Sequence, residues 1–221
     1  MAFHLRREID ITKRKILEIS TAVEKNVTDA VHALEKRDIQ LARNVIEYDK
    51  EIDRMEVDLE EECLKILALH QPVAIDLRYI VAILKINNDL ERIADLAVNV
   101  AQSAIVLAQQ NEIRIPEHIR DMADITVQMI RQALDSLLNM DADAAQHVMD
   151  TDDDVDRLHK RTFDFVESGI REDPDRTAEL IRLLGISRSF ERMADHATNI
   201  AEDVIYMLTG EIVRHGPPPE D

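Results

Sequence analysis

Carboxylate side chains at helical spacing are the groups of this sequence best suited to carry chemistry. Glu91 and Asp95 lie four residues apart, and Glu191 and Asp195 repeat that pair one hundred residues later. Residues four apart share one ridge of an α-helix, so each pair presents its oxygens side by side. The same ridge reaches an amide in both copies, at Asn99 and Asn199. A row of oxygen ligands favours the binding of hard cations.

A second acidic row precedes each of these pairs in the chain. Its members in the first half are Asp49, Asp53 and Glu56. A constant offset of 103 residues gives the members in the second half, which are Asp152, Asp156 and His159. Glu60 extends the first row, whereas Phe163 stands at the corresponding place in the second. The second row is therefore shorter, and it includes an imidazole.

A helical hairpin in each half brings the two rows together. If the chain turns about Pro72, Asp53 stands level with Glu91, and Asp49 pairs with Asp95 one turn further from the bend. The same construction about Asp173 gives two pairs in the second half, Asp156 with Glu191 and Asp152 with Asp195. We expect two carboxylate clusters at matching heights, flanking the apolar stripes of their helices.

Two explanations compete for these clusters. A solvated acidic face accounts for any single pair, but like charges four residues apart cost roughly 0.2–0.5 kcal/mol, and neighbouring pairs add to the repulsion. A multinuclear metal site, in which carboxylates hold more than one cation, accounts for all four pairs. Oxygen ligands suit magnesium, manganese or calcium, and carboxylates with a histidine also suit iron or zinc. The pattern matches neither an EF-hand nor a ferritin-like di-iron site.

The composition indicates long packed helices and an acidic surface. Hydrophobic residues make up 45% of the 221 residues, with only 4 Gly and 6 Pro. The net charge of −18 divides into −5 up to Gln110, from 15 basic and 20 acidic residues, and −13 beyond it, from 12 and 25. Such a charge argues against free nucleic acid as a partner. It also opposes direct capture of a small anion such as phosphate, unless bound cations reverse the local sign.

Cysteine content and hydropathy predict a cytoplasmic protein. The single cysteine, Cys63, has no partner for an internal disulfide and is expected to be a buried small hydrophobe in a reducing compartment. No apolar run approaches the roughly 18 residues of a membrane span, and no signal peptide is recognisable. We therefore expect no membrane span.

Apolar periodicity and capping residues predict six long antiparallel helices. Their expected ranges are about 3–35, 39–70 after the N-cap Asp38, 74–110 and 116–139, then a fifth helix that starts after the N-cap Asp141 and a sixth that follows Pro174 and lasts to about 209. The fold class is all-α, a tandem pair of three-helix bundles related by an internal repeat and sharing one core. The predicted halves are residues 1–112 and 113–213, followed by a disordered tail at 214–221.

These motifs resemble those of the PhoU family. The likeness is carried by residues 89–95, by residues 190–195 and by the segment QPVAIDLR at 71–78, and it spans nearly the whole chain. It implies two three-helix bundles with multinuclear metal clusters held by the pairs 49/53, 91/95, 152/156 and 191/195. It further implies a noncatalytic negative regulator of the phosphate-starvation response, which couples the ATPase of a phosphate ABC transporter to a sensor histidine kinase. A homodimer, at most peripheral to the inner face of the membrane, is expected.

Two other functions are left open by the residues themselves. A metal-dependent hydrolase would use bound ions to activate water, but it needs an enclosed pocket and a base separate from the ligands. A purely structural helical scaffold follows if no metal binds. The sequence contains no glycine-rich phosphate loop, no Gly-x-Ser-x-Gly and no His-Glu-x-x-His. We expect Arg92 and Arg192 to make salt bridges and His196 to be a surface residue.

Overall fold

Six helices form nearly the whole of the computed structural model, which describes residues 2–110 and 114–211. The helices are α1 (Ala2–Lys36), α2 (Ile39–His70), α3 (Ala74–Ala108), α4 (Glu117–Asn139), α5 (Ala142–Glu172) and α6 (Thr177–Thr209). A short 3₁₀ turn, Pro174–Arg176, precedes α6. None of the described helices has an apolar stretch long enough to cross a membrane. The predicted all-α tandem repeat is confirmed.

The first tight turn of each half is built in the same way. Arg37 and Met140 end α1 and α4 in the left-handed region, with φ of 55° and 52°. The next residue caps the following helix: an Asp38 oxygen accepts from the Leu41 amide at 2.9 Å, and Asp141 caps α5 in the same manner. Both predicted caps are confirmed, because a carboxylate satisfies amides that the first helical turn leaves unpaired.

Helix α3 ends two residues earlier than its periodicity predicts. The amides of Gln109 and Gln110 bond to carbonyls three residues back, at 3.2 and 3.3 Å, so the helix tightens into a turn. The Arg37 guanidinium then donates to the carbonyls of Leu107, Ala108 and Gln110 at 3.1, 3.3 and 2.9 Å. A cation from α1 therefore satisfies the free carbonyl groups at the negative end of α3.

Helices α3 and α6 form the centre of the molecule. Helix α3 packs against α1, α2 and α6, while α6 packs against α4 and α5 as well as α3. Both central helices carry small buried side chains: Ala94, Ala97, Ala101, Ala194, Ala197 and Ala201. Buried residues of both halves form one apolar cluster. The predicted core shared by both halves is confirmed.

Polar contacts also cross between α3 and α6. The Lys85 ammonium donates to an Asp203 oxygen at 3.0 Å, with Asp203 only 2% exposed. His196 Nδ1 lies 2.8 Å from an Asp89 oxygen, and its side chain is 17% exposed. The prediction that His196 is a surface residue is wrong, because the crossing of the two central helices covers a face that points away from the core of its own bundle.

Two predicted features fall outside the described residues. The boundary between the halves at residues 112 and 113 lies in the undescribed segment 111–113, and the tail at 214–221 follows the last described residue. Cys63 is buried, as predicted.

Candidate metal centres

The first carboxylate cluster lies between α2 and α3. Burial, and then the charges of Asp53, Asp95 and Glu91, together raise the pKa of Asp49 from its ordinary 3.8 to about 6. Burial likewise raises the pKa of Glu91, assisted by Asp95 and Asp53. These mutual effects reflect the hairpin arrangement predicted from the sequence, in which α3 returns alongside α2. Four carboxylates from two helices act on one another here.

One oxygen of this cluster has no hydrogen-bond partner. Asp49 Oδ1 is fully enclosed by protein atoms, and no donor reaches it. A buried carboxylate oxygen without a partner is unfavourable, because the oxygen has lost its water and gained nothing in exchange. A cation beside Asp49 would satisfy this atom and neutralise the surrounding charge. The chemistry of the donor set therefore fits a metal ion.

Arg92 partly compensates the charge on the solvent side of the cluster. Its Nε lies 3.4 Å from Glu91 Oε2 and its Nη1 lies 3.5 Å from Asp95 Oδ2. Both contacts are long, and the Arg92 side chain is half exposed. The predicted salt-bridging role of Arg92 is confirmed, although such exposed pairs contribute little to stability.

The second cluster repeats this arrangement between α5 and α6. Burial, and then the charges of Asp195, Asp156 and Asp153, together raise the pKa of Asp152 to about 6. The pKa of Asp195 is raised by burial, then by Glu191 and Asp156. The cluster borders an open depression of about 540 Å³, whose lining includes Asp156 and His159. Both predicted clusters thus lie on the surface of their helices, beside the core.

Glu56 and His159 stand at equivalent positions and are held in equivalent ways. The Asn87 amide of α3 donates to the Glu56 carbonyl at 2.9 Å and to its carboxylate at 3.3 Å. In the second half His159 Nδ1 lies 2.9 Å from the hydroxyl oxygen of Ser187, the α6 residue that corresponds to Asn87. Fixing one ring nitrogen orients the other, which is how ligand histidines are commonly prepared.

Glu56 belongs electrostatically to the first cluster. Its pKa is raised by burial and then by Glu60, Glu91 and Asp53. The negative charges therefore extend one turn further towards the hairpin bend in the first half than in the second. The sequence predicted this inequality from Glu60 and Phe163, and Phe163 is indeed an exposed aromatic, 53% accessible.

The two predicted amide ligands, Asn99 and Asn199, differ in their surroundings. Asn99 is exposed on α3. The Asn199 amide donates to Asp89 Oδ1 across the α3–α6 interface, at 3.4 Å. The same Asp89 oxygen therefore lies within hydrogen-bond distance of both His196 and Asn199. Single-helix spacing did not reveal this buried contact, and the only signal was that Asp89 is replaced by Ser189 in the repeat.

The acidic side chains of the two clusters do not form a closed coordination sphere in the described part of the chain. Within residues 4–110 and 114–211, no group of three or more His, Cys, Asp or Glu side chains surrounds a common point as a metal site would. Asp53 is exposed and the Asp95 side chain is about half exposed, so both carboxylates are open to solvent.

Comparison with known proteins identifies close relatives. A family model named PhoU domain matches residues 16–104 and 119–204. The phosphate-specific transport system accessory protein PhoU homolog of Pseudomonas aeruginosa is 41% identical over 209 residues, which cover 94% of this chain and 86% of the relative. The homolog of Aquifex aeolicus is 37% identical, covering 95% of each protein.

Two solved structures share the fold. The crystal structure of PhoU from Pseudomonas aeruginosa matches with a TM-score of 0.91 and 40% identity, covering 93% of this chain and 99% of that one. The phosphate transport system regulatory protein PhoU from Streptococcus pneumoniae matches with a TM-score of 0.86 over 95% of this chain and 99% of that one. At 24% identity, the second likeness concerns the fold alone.

Proposed function

Because this chain belongs to the PhoU family, we propose that it is a metal-binding regulatory adaptor of phosphate transport and not an enzyme. The relatives are named accessory proteins of a phosphate-specific transport system, and the chain spans most of their length. By the same likeness, the proposed partners are the ATPase of a phosphate ABC transporter and a sensor histidine kinase. The proposed effect is to repress the starvation response while phosphate is plentiful.

The observation that supports metal binding is the unpartnered Asp49 oxygen inside a cluster of like charges. Candidate ligands in the first half are Asp49, Asp53, Glu56, Glu91 and Asp95. In the second half they are Asp152, Asp156, His159, Glu191 and Asp195. The oxygen-rich sets suit iron, zinc, manganese, magnesium or calcium. Bound cations would supply local positive charge on an acidic surface, where an anion such as phosphate would otherwise be repelled.

The exposure of the clusters favours an adaptor over a hydrolase. Asp53, Asp156 and Asp195 are exposed, so the carboxylates lie open to water on the helix surfaces. A hydrolase needs its ions in a site that excludes bulk water and holds a separate base. An acidic helical surface suits docking on basic faces of partner proteins, where electrostatics sets the encounter rate and specificity. We place this adaptor in the cytoplasm, at the inner face of the membrane.

Elemental analysis tests the metal proposal. The protein is purified without chelator, incubated separately with iron, zinc, manganese, magnesium and calcium, and passed through a desalting column. We expect more than one tightly bound ion per chain. Less than one ion per chain with every metal would contradict the metal proposal and leave a purely structural scaffold as the alternative.

A deletion strain tests the regulatory proposal. Without this protein, a reporter fused to a phosphate-starvation promoter should remain active in phosphate-rich medium, and a plasmid copy of the wild-type gene should restore repression. Normal repression in the deletion strain, with no second copy of the family in its genome, would sink the adaptor proposal and return the hydrolase to consideration.

A further inference from the structure

A groove unrelated to the carboxylate clusters crosses the junction of α1, α3 and α4. It has a volume of about 480 Å³. Ile16 and Leu137, both buried, lie at its base, and Tyr79 contributes an aromatic wall. We propose that this groove binds an amphipathic helix of a partner protein, one whose apolar face is flanked by acidic residues. The inference rests on the proposed adaptor role, since it supplies that role with a docking surface.

Exposed apolar side chains surround the groove. Ile75 is 69% exposed, and Leu17, Leu138 and Met140 are 42%, 45% and 42% exposed. They come from three different helices and the turn after α4, so the protein surface must assemble before they meet. Contiguous exposed apolar side chains of this kind mark interaction sites, because each costs solubility without adding to the core.

The four exposed apolar side chains of the groove have charged counterparts at the positions that the repeat relates to them. With the offsets of 103 and 100 residues that relate the halves, Ile75 corresponds to Asp175 and Leu17 to Arg120. Leu138 and Met140 correspond to Glu35 and Arg37. The same fold therefore tolerates charged residues at all four places. The groove, which α1 and α3 of the first half form together with α4 of the second, is therefore not a requirement of helix packing.

The rim of the groove carries the positive charge that an acidic partner would recognise. Lys13 and Arg14 line it, and neither forms an ion pair with an acid in the described part of the chain. The Lys13 ammonium lies 5.7 Å from the ring centroid of Tyr79, another lining residue. Residues 4–15 hold five basic and two acidic residues, a net charge of +3 in a chain of −18. Asp76 is the one acidic residue of the lining.

The backbone is strained at Ala74, the residue directly before the exposed Ile75 of the groove. Ala74, at the first position of α3, has φ of 50°, although an alanine gains nothing from the left-handed region. Such a conformation costs on the order of 1 kcal/mol, and strain of this kind is concentrated at functional sites. Val73 and Leu69, which precede Ala74 in the chain, are also exposed apolar residues, at 74% and 67%.

The shape of the surface favours a helix over a membrane or a second copy. A concave groove with apolar anchors at its rim accepts the ridge of an amphipathic helix, whereas a lipid surface is flat. A second copy of this chain would bring its own basic segment to a basic rim if the contact were symmetric. An acidic helix meets both the apolar and the charged parts of the groove.

Fluorescence anisotropy with labelled peptides tests this proposal. The probe is a peptide of about 18 residues with leucines at i, i+3, i+4 and i+7 and glutamates on the flanking face. We expect it to bind the wild-type protein at least about tenfold more tightly than a scrambled peptide of the same composition. Ile75→Asp with Leu138→Asp should abolish that preference, because both side chains are exposed and their loss spares the core.

Two further variants test whether peptide binding depends on the basic rim of the groove and whether it is specific to the groove. Lys13→Glu with Arg14→Glu should weaken the glutamate peptide about tenfold and strengthen a peptide in which lysines replace the glutamates. Ile181→Asp is the matched control, because Ile181 is 56% exposed on α6 and lies outside the groove. It should leave binding of both peptides unchanged. Circular dichroism checks that every variant remains helical.

Several outcomes would overturn the proposal. Equal binding of the scrambled peptide, or unchanged binding by the groove variants, would remove the helix as occupant. Sedimentation of the wild type, but not of Ile75→Asp, with vesicles of phosphatidylglycerol would assign the surface to lipid. A wild-type dimer that Ile75→Asp dissociates would assign it to a second copy. In the reporter strain, a deletion that derepresses while groove variants repress normally would contradict the groove and leave the adaptor role standing.

Discussion

The two halves of the molecule share one architecture but differ in the residues that complete their surfaces. Asp49 and Asp152 occupy equivalent places, and the pKa of each is raised to about 6 by burial and neighbouring acids. About two turns further along the helix the halves diverge, with Glu56 facing Asn87 and His159 facing Ser187. The helical hairpin of each half therefore keeps the position of the candidate ligand, while its side chain is a carboxylate in one half and an imidazole in the other.

A second divergence lies at the contact between the halves. Asp89 and His196 meet across α3 and α6, while the equivalent residues are Ser189 and Leu96, both buried. One end of the central interface is thus polar and the other largely apolar. The exposed apolar side chains of the groove likewise have charged counterparts at the repeat-related positions. The repeated fold therefore conserves backbone and core while the surfaces diverge.

The largest expected effect separates the two metal sites. Replacing Asp49, Asp53, Glu91 and Asp95 by Asn should remove the first site, weakening its affinity by a factor of about 100 or more, because second-sphere changes alone cost 10–100-fold. The ions of the second half should remain, as measured by elemental analysis and titration calorimetry. Helicity should be nearly unchanged, since these groups flank the core.

The matched experiment replaces Asp152, Asp156, Glu191 and Asp195 by Asn and should spare the first site. If either fourfold variant lost all ions, the halves would form one shared site. If circular dichroism collapsed, the ridges would be structural, and the metal interpretation would fail for that half.

A donor exchange sharpens the difference between Glu56 and His159. His159→Glu should shift the preference of the second site towards magnesium, calcium or manganese by about tenfold relative to zinc, because an oxygen replaces a nitrogen donor. Glu56→His should shift the first site in the opposite direction. Competition titrations measure both ratios. Identical metal preferences in the wild-type halves, unaffected by the exchange, would show that neither residue is a ligand.

The polar contact between Asp89 and His196 should tolerate replacement of both residues by their counterparts in the repeat, Ser and Leu, better than replacement of Asp89 alone. Asp89→Ser alone leaves His196 and Asn199 without their acceptor and should cost about 1–2 kcal/mol in the free energy of unfolding. Adding His196→Leu recreates the residues found at the equivalent positions and should recover most of that loss. Urea denaturation measures both variants, and a double variant that is less stable than the single one would refute this account.

The smallest expected effect is a pH dependence that should be equal in the two halves. Because Asp49 and Asp152 have a pKa of about 6 when folded and 3.8 ordinarily, the metal-free folded protein takes up protons that the unfolded chain does not between pH 6 and 4. Its free energy of unfolding should therefore rise as pH falls through that window. Solvent screening limits the gain to about 1 kcal/mol per group.

Single variants isolate each contribution. Asp49→Asn and Asp152→Asn should each stabilise the metal-free protein at pH 7 and remove about the same share of the pH dependence, as measured by urea denaturation in the presence of chelator. Unequal shares would mean that the two clusters already differ at the position where they look most alike. Above pH 6 the remaining repulsion should persist, because both acids are then ionised.

Much of this protein was predictable from its sequence because the determining interactions are local or repeat along the chain. Apolar periodicity located the helices, and Asp38 and Asp141 marked helix starts through bonds to amides within three residues. Counting residues from the bend at Pro72 placed Asp49 near Asp95, since an antiparallel hairpin has one register. The resemblance to the PhoU family, read from three short segments, is confirmed by the match over both halves.

What the tertiary structure decided involves surfaces that no single helix defines. The pattern of α6 alone placed His196 towards solvent, yet the approach of α3 buries it against Asp89, more than one hundred residues away. In the sequence, Arg37 lies just beyond the predicted end of the first helix. Only the fold shows that its guanidinium donates to the last carbonyls of α3. The groove likewise exists only where α1, α3 and α4 converge. Helical periodicity encodes which face of a helix is buried, but the partner that buries it is set by the packing of the two bundles.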